Sequence, residues 1–114
     1  MSSKKKKQRE NEKEAKSSEN VPVVQGYAPI FSPDFKADLQ WWYRHDAKKA
    51  NKILDLVADI LDGKPFTGLG KPEQLKYIAS NTWSRRIDLE HRLVYQVSDR
   101  FVVFLQERYH YETD

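Results

Sequence analysis

The chain contains no cysteine. Disulfide staples, thiolate nucleophiles and cysteine-type zinc sites are therefore excluded, and a reducing compartment is the simplest setting. It also lacks the run of about 18 apolar residues that a spanning helix needs, and the charged start Met1-Ser2-Ser3-Lys4 has no apolar signal stretch. These absences predict a soluble, cytoplasmic protein with no membrane partner. Histidine is scarce: His45, His91 and His110 are scattered, so no metal site is expected. No nucleotide-type loop is expected either, because Gly63-Lys64 and Gly70-Lys71 lack the following Ser/Thr and the preceding strand. Neither a Ser/His/Asp triad nor a cofactor is foreseen.

What is present is a single domain's worth of chain, 114 residues, with its net charge of +3 confined to one end. Residues 1–20 hold seven Lys/Arg against four Glu, and the remainder balances. Almost every residue there is polar, too little apolar surface to offset the ordering entropy, so residues 1–25 are expected to be a disordered basic arm. Lys4 to Lys7 would add nonspecific attraction to RNA or simply be solvated.

Val21 to Phe31 mixes Val, Tyr, Ile and Phe with Pro22, Gly26 and Pro29, which suits a short edge strand. Ser32-Pro33-Asp34 then starts a helix: an N-cap, a proline whose missing N–H is harmless, and an acid at the positive end of the dipole. The helix is predicted to about Arg44, with Phe35, Leu39 and Trp42 on its apolar stripe. Asp46 caps a second, where Ala50, Ile53, Leu54, Val57 and Leu61 recur until Asp62-Gly63 ends it. A glycine-rich loop, GKPFTGLG, follows. Strands are predicted over 83–88, 91–97 and 101–111. The fold class is α+β: an N-terminal strand and a two-helix hairpin packed on one face of an antiparallel sheet.

Alternation along a strand sends Leu93, Tyr95 and Val97 toward the helices and Arg92, Val94 and Gln96 to the other face. The same parity turns Arg85 inward and Arg86 outward. On the last strand Val103 and Leu105 suit the core, which leaves Phe104, Gln106, Arg108 and His110 on the open face. Arginines gathered there, bordered by Lys71 and Lys76, suit phosphate. The competing expectation pairs them with Asp88, Glu90 and Glu107 as ordinary cross-strand ions. Trp41, Trp42 and Trp83 are expected to pack, His91 to be structural, and Asp46 beside His45 to be a cap.

Pro65-Phe66, Gly70-Lys71-Pro72-Glu73, Leu75-Lys76, Trp83-Ser84-Arg85-Arg86-Ile87, Glu90-His91-Arg92-Leu93-Val94-Tyr95 and His110-Tyr111 stand in order. With this set the chain resembles the YoeB (Txe/YoeB) toxins of bacterial toxin–antitoxin modules over about residues 30 to 111. The resemblance implies a RelE-superfamily microbial-RNase fold over residues 26–111. It also implies a ribosome-dependent endoribonuclease that cuts mRNA in the A site of the 70S ribosome without metal and so inhibits translation. The partners it implies are a YefM/Phd-like antitoxin and operator DNA only through the antitoxin complex; a homodimer is a further candidate partner, since the sequence does not fix the oligomeric state.

By the same resemblance Glu73, Arg92, His110 and Tyr111 are the catalytic positions, with Lys76 and Arg86 supporting. Lys71 and Arg108 join the phosphate-binding set from their place on or beside the open face. Carboxylates ordinarily ionise near pH 4, so Glu73 suits the base; imidazoles titrate near 6.5, so His110 suits the acid. Tyr111 would stack on or orient a base. The family commonly stops at His-Tyr, whereas Glu112-Thr113-Asp114 follow here as a short acidic extension. That departure motivates the alternative: a catalytically weak RNA- or antitoxin-binding module acting mainly in an antitoxin/operator DNA complex.

Overall fold

In the computed structural model, residues 26–108 are described. The expected arm over 1–25, His110, Tyr111 and the acidic extension lie outside them. The chain runs β1 (Ala28–Phe31), α1 (Pro33–His45), α2 (Ala47–Leu61), β2 (Glu73–Gln74), β3 (Thr82–Arg86), β4 (Arg92–Val97) and β5 (Phe101–Gln106). The strands form one sheet in the order β1-β5-β4-β3-β2.

Local chemistry sets the helices. The Ser32 hydroxyl accepts the Phe35 N–H at 3.0 Å and donates to the Leu105 carbonyl at 2.8 Å, so the cap of α1 is also a tie to β5. Asp46 ends α1 and caps α2, accepting the Lys49 N–H. The core joins Phe35 and Trp42 of α1, Ala50, Ile53, Leu56, Val57 and Ile60 of α2, and Leu93, Tyr95, Val102 and Phe104 of the sheet. The stripe of α2 is rotated from the expected one: Leu56 and Ile60 are buried, Leu54 is exposed and Leu61 is only partly buried.

Three further expectations are corrected. The sheet is mixed, because β1 lies parallel to β5, while the β2–β3, β3–β4 and β4–β5 pairs are antiparallel. On β5 it is Val102 and Phe104 that enter the core, not Val103 and Leu105. The register jumps between Val94↔Gln106 and Tyr95↔Phe104, leaving Leu105 as the extra residue of a bulge. Phe104 therefore faces the helices, while Gln106 returns to the second face opposite Val94. Finally, β5 ends at Gln106 and does not continue through residue 108.

Beyond that point the chain is held by α1. The Trp42 indole N–H donates to the Glu107 carbonyl at 2.9 Å and the Glu107 N–H donates to Asp38 at 3.0 Å. The Glu107 carboxyl is fully buried; burial, reinforced by the Asp38 charge, pushes its pKa up to about 9.

Candidate functional site

Glu73 stands on β2 opposite Ser84, and Arg92 opens β4 opposite Arg86, the last residue of β3. This brings residues far apart in sequence onto one corner of the sheet. Arg92 Nη1 donates to Glu73 Oε1 at 3.2 Å, with the glutamate side chain 62% exposed and the arginine 18%. Arg86 is exposed beside them, its backbone N–H donating to the Gly70 carbonyl at 2.7 Å. Lys71, next in the loop, is exposed with φ +48°, a conformation uncommon for a residue with a side chain. Lys76 is exposed in the turn after β2.

Thus Glu73, Arg92, Arg86 and Lys71 belong to one corner. Arg108 does not join the open face: its guanidinium lies over the Trp41 ring of α1, 4.0 Å from the centroid, because the chain has left the sheet by then. The ordinary ion pairs expected for the arginines are not those formed among the described residues. Asp88 pairs with Lys49 at 2.8 Å, and Glu107 is buried without a hydrogen bond to either carboxyl oxygen. Burial would raise the Asp88 pKa, but hydrogen bonds from Lys49, the His91 and Glu90 N–H groups and the His91 ring hold it well below the usual range. Asp88 so fixes the β3–β4 turn directly beneath the Arg86–Arg92 rung. His91 also meets the Trp42 ring edge-on at 4.9 Å. No group of three His, Asp or Glu residues among the described residues is placed to hold a metal ion.

The residue that sequence reasoning undervalued is Arg85. Parity turned it inward, and it is 0% exposed. Its Nε donates to the Tyr95 hydroxyl at 3.1 Å; Nη1 donates to Asp59 at 2.6 Å and the Leu69 carbonyl at 3.0 Å; Nη2 donates to the Thr67 carbonyl at 2.8 Å and to that of Lys64. All five guanidinium donors are used. Burial opposes the charge of Asp59, but the Arg85 bond, the Leu69 N–H and nearby Lys64 hold its pKa below the ordinary value. Four of the five bonds tie the glycine-rich loop or the helix before it, so Arg85 sets the path of the chain into Lys71 and Glu73. The usable signal was the inward parity of Arg85 itself: a buried guanidinium calls for an acid, which Asp59 of α2 supplies.

The family model of the YoeB-like toxin of bacterial type II toxin–antitoxin systems matches residues 31–111. The chain belongs to that family. It is 48% identical over 81 residues to toxin YoeB of Mycobacterium bovis, covering 71% of this chain and 94% of that protein. Among solved structures it is similar to the YoeB dimer from Staphylococcus aureus, with a TM-score of 0.69 and 36% identity over 77% of this chain and 100% of that one. A chain of the YoeB–YefM complex from the same organism gives a TM-score of 0.64 and 37% identity, covering 75% of this chain and 98% of that one. The α+β arrangement of two helices on a five-stranded sheet is the RelE-like fold of these YoeB toxins.

Proposed function

We propose that this YoeB-family toxin is a ribosome-dependent endoribonuclease that cuts mRNA in the A site and so stops translation. The observation that carries the reading is the Glu73–Arg92 pair, 3.2 Å apart on an exposed corner with Arg86 on the same rung. A carboxylate held against a guanidinium stands beside any phosphate that the same guanidinium binds.

In this mechanism Glu73 takes the proton from a ribose 2′-hydroxyl as its oxygen attacks the adjacent phosphorus. Arg92, helped by Lys76 and Arg86, holds the nonbridging oxygens while charge grows on them, a contribution of about 10²–10³ in rate per donor. His110 gives a proton to the departing 5′-oxygen, and Tyr111 orients a base. The products are a 2′,3′-cyclic phosphate and a free 5′-hydroxyl, and no step draws on a cofactor. The partners that follow are mRNA on the 70S ribosome in the cytoplasm, a YefM/Phd-like antitoxin, and operator DNA through that antitoxin. A homodimer is also proposed; the YoeB dimer and the YoeB–YefM complex of Staphylococcus aureus support it and the antitoxin partner.

The test is purified chain added to a bacterial translation mixture with one defined mRNA, and to that mRNA alone, with new 5′ ends mapped. Cuts within codons only when ribosomes are present, absent with Glu73→Gln, are the expected result. Cleavage that Glu73→Gln and His110→Gln leave unchanged would remove the mechanism.

A further inference from the structure

Beside the Glu73–Arg92 corner runs a groove of about 490 Å³ whose walls include Lys52 and Asp55 of α2, Leu69 and Lys71 of the glycine-rich loop, and Arg86 at the end of β3. Arg86 is common to the groove and to the rung with Arg92, so the two are continuous. Lys52, Lys71 and Arg86 are all exposed, and among the described residues none forms an ion pair. Lys49, Lys64, Arg85 and Arg92, by contrast, each have a carboxylate. One proton of the Lys52 ammonium is donated to the Ile87 carbonyl at 2.8 Å, which fixes the group near the β3 end and leaves two donors.

We propose that this groove is a second phosphodiester subsite, which takes the RNA backbone next to the bond being cut, with Lys52 as a contact of its own. The proposal rests on the endoribonuclease reading and extends it. Lys52, Lys71 and Arg86 face the anionic oxygens. Asp55, a carboxylate among three cations, accepts a hydrogen bond from a ribose 2′-hydroxyl, the group that separates RNA from DNA. The three cations outnumber that carboxylate, and continuity through Arg86 with the corner where the phosphodiester is cut favours RNA as occupant over an acidic protein segment.

The experiment uses the full chain carrying Glu73→Gln and a fluorescein-labelled RNA decamer, with anisotropy read over rising salt. Lys52→Ala and Lys71→Ala are each expected to weaken binding roughly tenfold. Each should also flatten the dependence of log Kd on log salt by about 0.7, one phosphate contact on a single strand. Lys52→Arg should restore both. Asp55→Ala should narrow the preference for RNA over the same decamer in DNA. Unchanged Kd and salt slope in Lys52→Ala, at an unchanged melting temperature, overturn the proposal. If Lys52→Ala fails to fold, Lys52→Gln, which keeps a side-chain donor for the Ile87 carbonyl and removes the charge, decides by the same two readouts. RNA binding that persists while an acidic antitoxin peptide is lost makes the groove a protein-docking site and also overturns it. Lys52-dependent RNA binding, when the chain with Glu73 intact cuts nothing in the translation mixture, keeps the subsite and removes the endoribonuclease reading instead.

Discussion

Arg85 and Arg86 are neighbours on β3, yet the two sides of the strand ask opposite things of the same side chain. On the helix side Arg85 is sealed, with every donor committed to Asp59, Tyr95 and loop carbonyls. On the rim Arg86 is exposed and, among the described residues, Arg92 beside it pairs with Glu73 alone, itself largely in solvent. The first side spends charge on shape; the second keeps charge available to a ligand. A guanidinium is therefore a structural or a functional group according to how many acceptors its own chain supplies.

The largest effect should come from the sealed side. Arg85→Ala leaves three loop carbonyls and the Tyr95 hydroxyl without the guanidinium donor and Asp59 with the Leu69 N–H and Lys64 alone among the described residues, and should destabilise the fold by about 3–5 kcal/mol. Urea denaturation measures it, and a loss under about 1 kcal/mol would show that the loop has another anchor. Arg92→Ala should do the reverse, lowering cleavage by about 10²–10³ with a change in stability of only about 1 kcal/mol. Cleavage in the translation mixture and a melting curve on the same sample separate the two.

Next is Gly68, with φ +114° and an added Cβ only 2.2 Å from Asp59 Oδ2. Gly68→Ala should cost about 1–3 kcal/mol by straining the backbone and wedging the Arg85–Asp59 pair. The smallest effect is expected at the turn beneath the rim. The Asp88 carboxylate, depressed in the folded state, adds stability above the unfolded carboxylate pKa and loses it as pH falls through the folded value. Asp88→Asn should therefore cost about 1 kcal/mol at pH 7 and abolish that part of the acid-side decline below about pH 4. Melting temperatures of both proteins from pH 7 down to 3 provide the check.

Much of this comparison was legible beforehand, for reasons that are local. Ser32-Pro33-Asp34 and Asp46 announce helix starts because a cap is written within four residues, and the glycine-rich loop is where it was expected. The inward turn of Arg85 and the outward turn of Arg86 followed from parity alone. What escaped depends on partners distant in sequence. The two-residue β2 exists only because Glu73 and Gln74 find Ser84 and Trp83. The bulge at Leu105 reverses the parity of β5 upstream of it, so counting by twos misplaced Phe104, and the early end of the strand misplaced Arg108. Glu107, an ion-pair partner only in the competing expectation, is instead a buried acid, a state that depends on what covers it and not on its neighbours in the chain. Glu73 and Arg92 were named from the family resemblance, and their contact is where that reading and the fold meet.

The parallel pairing of β1 with β5 bears on how the molecule comes into being. Synthesis delivers β1 early, then both helices and three strands, before β5, its neighbour among the described strands, exists. Pairing so distant in sequence is slow, because loop-closure entropy is lost before the contact rewards it. Until β5 is made, β1 and β4 each have an open edge, and exposed Ile30 and Phe31 have no sheet behind them. A nascent or truncated chain that stops short of residue 101 is thus an unfinished sheet, prone to find a strand from another molecule before its own.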